Sequence, residues 1–219
     1  MNINKKIVVA VLAVAVLIVV AIYYWAKDGN SGGNVNLPVP LIDAVSQLDY
    51  SKGNREAAVI LVEYSDFQCP ACAAYYPLVK QLSEEFGDKA VFVYRHFPLS
   101  QHQNAEFAAI AAEAAGRQGK FWEMHDLIFN NQNEWAKSAK WSVEDIFIKY
   151  AEKLNLDLEK FKADLDLKEI KQKVSKDLES GVNAKVNGTP TFFLNGKKLS
   201  TPRSYEEFKE IIELIINKQ

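Results

Sequence analysis

The 219-residue sequence contains only two cysteines, Cys69 and Cys72, and only three histidines. So few thiols exclude a small scaffold held together by disulfides, and the chain must therefore build a hydrophobic core. A tetrahedral zinc site needs four ligands. His96, His102 and His125 are all distant along the chain from the two cysteines, so the sequence disfavours zinc at the two cysteines, and no metal or other cofactor is expected.

An excess of positive charge is also missing. The chain has 26 Lys and Arg residues against 28 Asp and Glu residues, which gives a formal net charge of −2. No basic stripe with interleaved aromatic residues occurs, so a nucleic-acid partner is not expected. The hydrophobic fraction of 48% is that of an ordinary globular protein, and the length is sufficient for a substantial core.

Charged residues are absent from Ile7 to Ala26, a run of apolar and aromatic residues. At the rise of an α-helix this run spans roughly 30 Å, the thickness of the hydrocarbon layer of a bilayer. Lys5 and Lys6 precede it, which favours a cytoplasmic tail over residues 1–6. We predict a transmembrane anchor over residues 7–26 in the lipid bilayer, with the body outside. The alternative, a cleaved signal peptide, is disfavoured because bulky residues follow its weak small-residue site.

The segment 27–48 is rich in Gly, Asn and Pro and predicts a flexible linker. Beyond it, strand signals at both ends flank a long stretch of helical periodicity. We therefore predict an α/β domain made of residues 49–99 and 186–219, interrupted by an all-helical insertion over 100–185. The predicted elements of the α/β domain are a strand at 57–64, a helix over 70–86, a strand at 89–97 and a hairpin over 191–199.

Two patterns predict where helices begin. Ser100 with Gln103, and Ser204 with Glu207, match the capping box, in which the first side chain accepts from a backbone N–H three residues later. We expect one helix to begin after each serine.

The sequence Cys69-Pro70-Ala71-Cys72 follows the first apolar strand and a polar turn, and begins the first helix. Cysteines three apart on a helix share a face and are close enough to form a bond. Pro70 suits the first helical position. Cys69 is then the N-cap, where the helix dipole favours a thiolate. The motif predicts a reversible dithiol/disulfide couple. A purely structural disulfide is the alternative, but it closes a very small loop and so removes little chain entropy.

A second motif, Thr189-Pro190, stands directly before the predicted hairpin, where a cis proline suits a tight turn. CPAC, Pro77 five residues after it, and the run GTPTFFLNG at 188–196 together resemble the thioredoxin superfamily. The helical block, YRHFPL at 94–99 and GKFWEMHDLIF at 119–129 are similar to its exported, DsbA-like branch. The resemblance implies a thioredoxin fold, βαβ–ββα, with a helical insertion.

The resemblance also implies roles for single residues. Cys69 is expected to be the exposed nucleophile, and Cys72 the buried partner. Pro190 resembles the cis-proline that packs against the active-site disulfide, and Thr189 would offer backbone hydrogen bonds to a substrate strand. The three histidines are expected to serve packing.

Glu63, six residues before Cys69, corresponds to a buried acid that assists proton transfer at Cys72; an ion pair with Arg95 is the alternative. Ala71 departs from relatives that carry His or an aromatic residue in the dipeptide. Because its side chain donates no hydrogen bond to the Cys69 thiolate, the couple is expected to be a weaker oxidant than theirs.

The function implied is an extracytoplasmic thiol:disulfide oxidoreductase of the oxidase type. Its substrates would be exported cysteine-containing proteins. A membrane electron acceptor resembling DsbB, or a quinone-linked relative, would reoxidise it. A reductase or isomerase of the same fold, and a redox-silent membrane-tethered peptide-binding module, remain open alternatives.

Overall fold

The computed structural model describes residues 43–217, apart from the side chains of residues 140 and 141. The predicted transmembrane anchor at 7–26 and the tail before it lie outside the described residues. Within the described part, no helix combines the length and the apolar character needed to cross a membrane.

A five-stranded sheet forms the centre of the described body. Its strands, in chain order, are β1 (Tyr50–Gly53), β2 (Val59–Ser65), β3 (Ala90–His96), β4 (Thr191–Leu194) and β5 (Lys197–Lys198). Their spatial order is β1-β3-β2-β4-β5, and only the central pair β2 and β3 is parallel. This central pair is almost entirely buried, as expected of strands covered on both faces.

Eight helices lie in the described residues. They are α1 (Pro70–Phe86), α2 (Ala105–Gly116), α3 (Phe121–Asn130), α4 (Gln132–Trp135), α5 (Lys140–Lys153), α6 (Leu158–Leu165), α7 (Lys168–Asn183) and α8 (Tyr205–Ile216). The predicted order of βαβ, helical block and ββα is confirmed. The hairpin is confirmed as well, because Asn195 and Gly196 both have positive φ, 47° and 76°, as its two-residue turn requires.

The alternation of side chains along the strands gives the sheet two different faces. The α1 face packs against α1 and α8, and on β2 and β3 it comprises Leu61, Glu63, Phe92 and Tyr94. The α7 face packs against α7 and comprises Val62, Tyr64, Val93 and Arg95. Helix α7 approaches this face closely at Gly181. A Cβ there would lie 2.5 Å from the ring of Phe97 and 3.0 Å from that of Tyr64, so a larger residue would separate helix and sheet.

Arg95 lies on the α7 face and forms a bidentate ion pair with Asp49, with N–O distances of 2.9 and 3.1 Å. The alternative pairing of Arg95 with Glu63 is therefore wrong. In the β2–β3 register Glu63 is opposite Tyr94, whereas Arg95 is opposite Tyr64, so Glu63 and Arg95 point to opposite faces.

Arg95 also donates to the backbone carbonyls of Asp43 and Ala44, both at 3.1 Å. Val45 packs against the core of the α7 face. The Arg95 side chain has more N–H donors than the Asp49 carboxylate accepts, and the remaining donors bind the backbone of this segment. Residues 43–48, the last of the predicted linker, are therefore attached to the body.

Of the two predicted capping boxes, one is confirmed. The Ser204 hydroxyl accepts from the Glu207 N–H at 3.2 Å and begins α8. The box at Ser100 and Gln103 is wrong, because α2 begins only at Ala105. Hydrogen bonds to the loop after β2 keep residues 97–104 out of the helix; they are described below.

Candidate active site

The two cysteines lie at the start of α1, after the loop that connects β2 to this helix. Cys69 has extended backbone angles, φ −72° and ψ 123°, and is the N-cap of α1, with Pro70 as the first helical residue. Its carbonyl accepts the first helical N–H, from Ala73, at 3.1 Å. The side chain of Cys72 is completely buried, while Cys69 keeps 7% of its surface exposed. Cys69 is thus less exposed than the resemblance implies.

The loop before β4 lies against the first thiol. In its protonated form the Cys69 thiol donates to the carbonyl oxygen of Thr189, at an S–O distance of 3.5 Å. The peptide bond between Thr189 and Pro190 is cis, and both residues are partly exposed. The structure therefore brings Thr189 and Pro190 to the redox motif from a position about 120 residues along the chain.

The two thiols have opposite acidities. Hydrogen bonding from the Cys72 thiol lowers the pKa of Cys69 to about 5, and the backbone N–H groups of Cys72 and Ala71 add to this effect. Burial raises the pKa of Cys72 well above its usual value, and the neighbouring Cys69 and Glu63 raise it further. One sulfur is therefore a stable thiolate at neutral pH, and the other keeps its proton.

Glu63 lies on the α1 face, close enough to Cys72 to affect its titration. Burial raises the pKa of Glu63 to about 7. The Glu63 side chain borders a cavity of about 30 Å³ that Tyr94 and His125 also line. A carboxyl group that titrates near neutrality beside a buried thiol is suited to exchange protons with it.

Side chains of the helical insertion hold the loop that precedes Cys69. Gln132 donates to the carbonyls of Phe67 and Cys69, at 2.7 and 3.0 Å. Gln68 donates to the carbonyl of Ala136 at 2.6 Å and accepts from the N–H of Asn104 at 2.7 Å. The position of Cys69 therefore depends on the insertion as well as on the sheet.

Asp66, in the same loop, is a hydrogen-bonding centre that the sequence reasoning did not identify. Its buried carboxylate accepts from the N–H groups of Gln68 and Leu99, at 2.7 and 2.8 Å, and lies 2.7 Å from Nδ1 of His102. These bonds, with that from Asn104 to Gln68, fix residues 97–104 in their non-helical path. An Asp two residues before a polar residue at a strand end is a sequence signal for such a turn, but its partner His102 is 36 residues away.

The other two histidines are buried. Burial lowers the pKa of His125 to about 4, despite its hydrogen bond to Asp126. His96 bonds through Nε2 to Glu113 at 3.0 Å. With Asp177 these two residues form a group, among the described residues, whose ligand atoms lie within 4.8 Å of one another.

The charges in that group already have a partner within the protein. The Lys173 ammonium lies 2.6 Å from the Asp177 carboxylate and 4.0 Å from that of Glu113. It occupies the place where a cation would be attracted, and the cysteines are not part of the group. The predicted zinc-free character of the CxxC motif stays a prediction.

Comparison with known proteins identifies a family and several relatives that match this chain. A model of the family described as Thioredoxin matches residues 46–214. The Na(+)/H(+) antiporter NhaA 3 of Salinispora tropica is 39% identical over 179 residues, which cover 81% of this chain and 26% of that protein. The chain spans about a quarter of the length of the curated relatives it matches.

Solved structures share the fold at lower identity. BdbD from Bacillus subtilis, in its oxidised form, superposes with a TM-score of 0.71 at 23% identity, over 83% of this chain and 100% of that chain. The alpha-DsbA1 protein from Wolbachia pipientis gives 0.70 at 21% identity, over 81% of this chain and 95% of that chain. These two proteins therefore share the fold of this chain.

Proposed function

We propose, from the premise that this chain belongs to the thioredoxin family and has the DsbA-like form of its fold, that it is a thiol:disulfide oxidoreductase. Cys69 and Cys72 would alternate between a dithiol and a disulfide. The observation that carries the proposal is the pairing of an acidic thiol at a helix N-terminus with a buried, proton-retaining thiol one turn later.

In the oxidising direction, a substrate thiolate attacks Sγ of Cys69 in the oxidised protein. The bond between the two cysteine sulfurs breaks, and its electron pair leaves with Cys72. Glu63, in its protonated form, is placed to supply the proton that Cys72 then takes up. The second thiolate of the substrate then attacks the substrate sulfur that is bonded to Cys69. This forms the substrate disulfide and releases Cys69 as a thiolate.

The acidity of Cys69 supports the oxidase direction. A stabilised thiolate stabilises the reduced protein, which makes the disulfide a better oxidant. The value of about 5 for Cys69 lies between those typical of thioredoxin, about 7, and of DsbA, about 3.5. The backbone N–H of Ala71 supplies some of the stabilisation that its side chain cannot, so an intermediate oxidant is expected.

We further propose that the catalytic body faces the extracytoplasmic side, tethered by the apolar run at residues 7–26. Its substrates would then be exported cysteine-containing proteins, and a membrane electron acceptor resembling DsbB or a quinone-linked relative would reoxidise it. Support comes from the sequence, through Lys5 and Lys6 before an apolar run of bilayer length.

Trapping of mixed disulfides tests the chemistry. A Cys72→Ala variant keeps the nucleophile but cannot resolve the intermediate, so it should accumulate adducts with cysteine-containing proteins that disappear on reduction. Cys69→Ser with the same Cys72→Ala change is the matched control and should trap none. If the trapping variant forms no adducts, or if Cys69→Ser retains full activity and phenotype, the protein is a redox-silent binding module.

The reduction potential tests the direction. Equilibration with glutathione should give a value closer to about −120 mV, typical of DsbA, than to about −270 mV, typical of thioredoxin. A value at the thioredoxin end would replace the oxidase by a reductase or isomerase of the same fold. Protease accessibility of the body in intact cells tests the proposed side of the membrane.

A further inference from the structure

The backbone N–H of Asp66 points at the sulfur that must leave when the disulfide opens. It donates to Sγ of Cys72 at an N–S distance of 3.4 Å, in a site where Cys72 is completely buried. The carbonyl of the same residue accepts from the N–H of Cys69 at 3.1 Å. One peptide segment therefore contacts both members of the redox pair.

The side chain of Asp66 fixes the position of that N–H. Its carboxylate is fully buried and accepts from two backbone N–H groups, those of Gln68 and Leu99. The third partner is His102, whose side chain is 19% exposed and whose Nδ1 lies 2.7 Å away. His102 is itself held by a bond from its N–H to the Leu99 carbonyl at 2.9 Å. The loop after β2 is thus fastened to the connection between β3 and α2.

We propose that the Asp66 N–H stabilises the Cys72 thiolate as it leaves, and that His102, through the Asp66 carboxylate, is a positioning residue for this donor. The inference rests on the proposed function and identifies a part of that reaction. It assigns a backbone group to the sulfur anion in the way that an oxyanion hole serves an oxygen anion.

The donor acts in the step that opens the disulfide. The bond between the substrate sulfur and Sγ of Cys69 forms while the bond between Sγ of Cys69 and Sγ of Cys72 breaks. The electron pair of the broken bond becomes the charge on Cys72, which has no exposed surface through which water reaches it. A fixed donor is worth most where developing charge is shielded from water. The proton arrives afterwards, from Glu63, so the N–H and the acid act in sequence.

A merely structural role for His102 would affect both thiols alike, whereas the proposed role affects only the step in which Cys72 leaves. Two rates separate these cases. The first is the opening of the oxidised protein by a cysteine-containing peptide, in which Cys72 leaves. The second is the attack of Cys69 on oxidised glutathione in the Cys72→Ala background, in which the leaving sulfur belongs to glutathione.

We expect His102→Ala to slow the first rate about tenfold and to leave the second within about twofold of its value without the change. His102→Asn places an amide N–H near the position of Nδ1 and should restore the first rate to within about threefold of wild type. Gln103→Ala, at the exposed neighbouring position, is the matched control and should change neither rate. Thermal unfolding of each variant confirms that the rates are compared on folded protein.

Equal slowing of both rates by His102→Ala would overturn the proposal, and so would a first rate that stays within twofold of wild type. Failure of His102→Asn to recover the rate would show that the donor at Nδ1 is not what matters. In each of these cases the wild-type protein still exchanges disulfides, so the proposed function stands. If wild-type protein does not react with the peptide at all, the proposed function itself is wrong, and this inference falls with it.

Discussion

The two faces of the central strand pair treat buried polar groups in opposite ways. On the α7 face, Arg95 is paired with Asp49 and donates to the hydroxyl of Tyr64 at 3.1 Å, and that hydroxyl also bonds Ser180 at 2.8 Å. On the α1 face, the hydroxyls of Ser65 and Tyr94 are buried and have no hydrogen-bond partner among the described residues. Polar side chains on the α7 face are thus hydrogen-bonded to one another, whereas these two hydroxyls on the α1 face are not.

The difference separates stability from chemistry. A buried polar group without a hydrogen-bond partner lowers the free energy of unfolding. A protein therefore keeps such a group where it serves a purpose other than stability. The unsatisfied groups surround Glu63 and Cys72, whose titration changes during the proposed reaction. The satisfied network attaches β1, the segment 43–48 and α7 to the sheet. The α7 face therefore holds the fold together, and the α1 face holds the reactive groups.

The largest expected effect comes from breaking the network of the α7 face. Arg95→Met leaves the Asp49 carboxylate buried without its bidentate partner. We expect a loss of roughly 3–5 kcal/mol in the free energy of unfolding, measured by denaturant titration. The rate of disulfide exchange per folded molecule should stay within about twofold of wild type, because Arg95 contacts neither cysteine.

The control for Arg95→Met is Lys162→Met, which removes an exposed ion pair with Glu159 on α6. It should change the free energy of unfolding by less than about 1 kcal/mol. If Arg95→Met costs no more than this control, the α7 face does not carry the stability assigned to it. If it abolishes exchange in folded protein, the two faces are not separable.

The second effect lies on the α1 face and depends on pH. Burial raises the pKa of Glu63 from its usual 4.5 to about 7. Below pH 4.5 both states are protonated, but between 4.5 and 7 the unfolded chain ionises while the folded protein retains the proton. Stability therefore falls as pH rises through this window, by about 3 kcal/mol in total.

Glu63→Gln removes that loss. The free energy of unfolding of the variant, relative to that of wild type, should therefore increase as pH rises and be about 3 kcal/mol higher above pH 7. The measurement is unfolding of the oxidised protein from pH 4 to 9, because the cysteines do not titrate in the disulfide. The same variant should exchange disulfides more slowly, since it cannot donate a proton to Cys72. A constant difference between variant and wild type across this range would contradict the raised pKa.

The sequence predicted the elements around the cysteines because their signals are local. Pro70 at the first helical position, the apolar strand before it and the Asn195-Gly196 turn each act over a few residues. The motif and its resemblance also indicated Thr189 and Pro190, although only the folded chain shows how they reach Cys69. Glu63 was indicated as a buried acid, and its burial and raised pKa agree with that description.

What the sequence could not predict depends on register and on distant partners. Whether Arg95 meets Glu63 or Asp49 is decided by a one-residue shift between β2 and β3, to which composition is insensitive. The predicted helix start at Ser100 failed because Asp66, from another element, takes the Leu99 N–H and the side chain of His102. Polar contacts between residues more than 30 positions apart leave no periodic pattern.

The smallest effect gives the most direct comparison of the two faces, because it uses the same substitution at two buried tyrosines. Tyr64→Phe removes a hydroxyl that accepts from Arg95 and bonds Ser180, so each partner loses one hydrogen bond; we expect a loss of about 1–2 kcal/mol in the free energy of unfolding. Tyr94→Phe removes a hydroxyl without a partner among the described residues, and should raise the free energy of unfolding by up to about 1 kcal/mol. The two differences, measured under the same denaturant conditions, should have opposite signs. If both variants lose stability to the same extent, Tyr94 is as well satisfied as Tyr64, and the contrast between the faces does not hold.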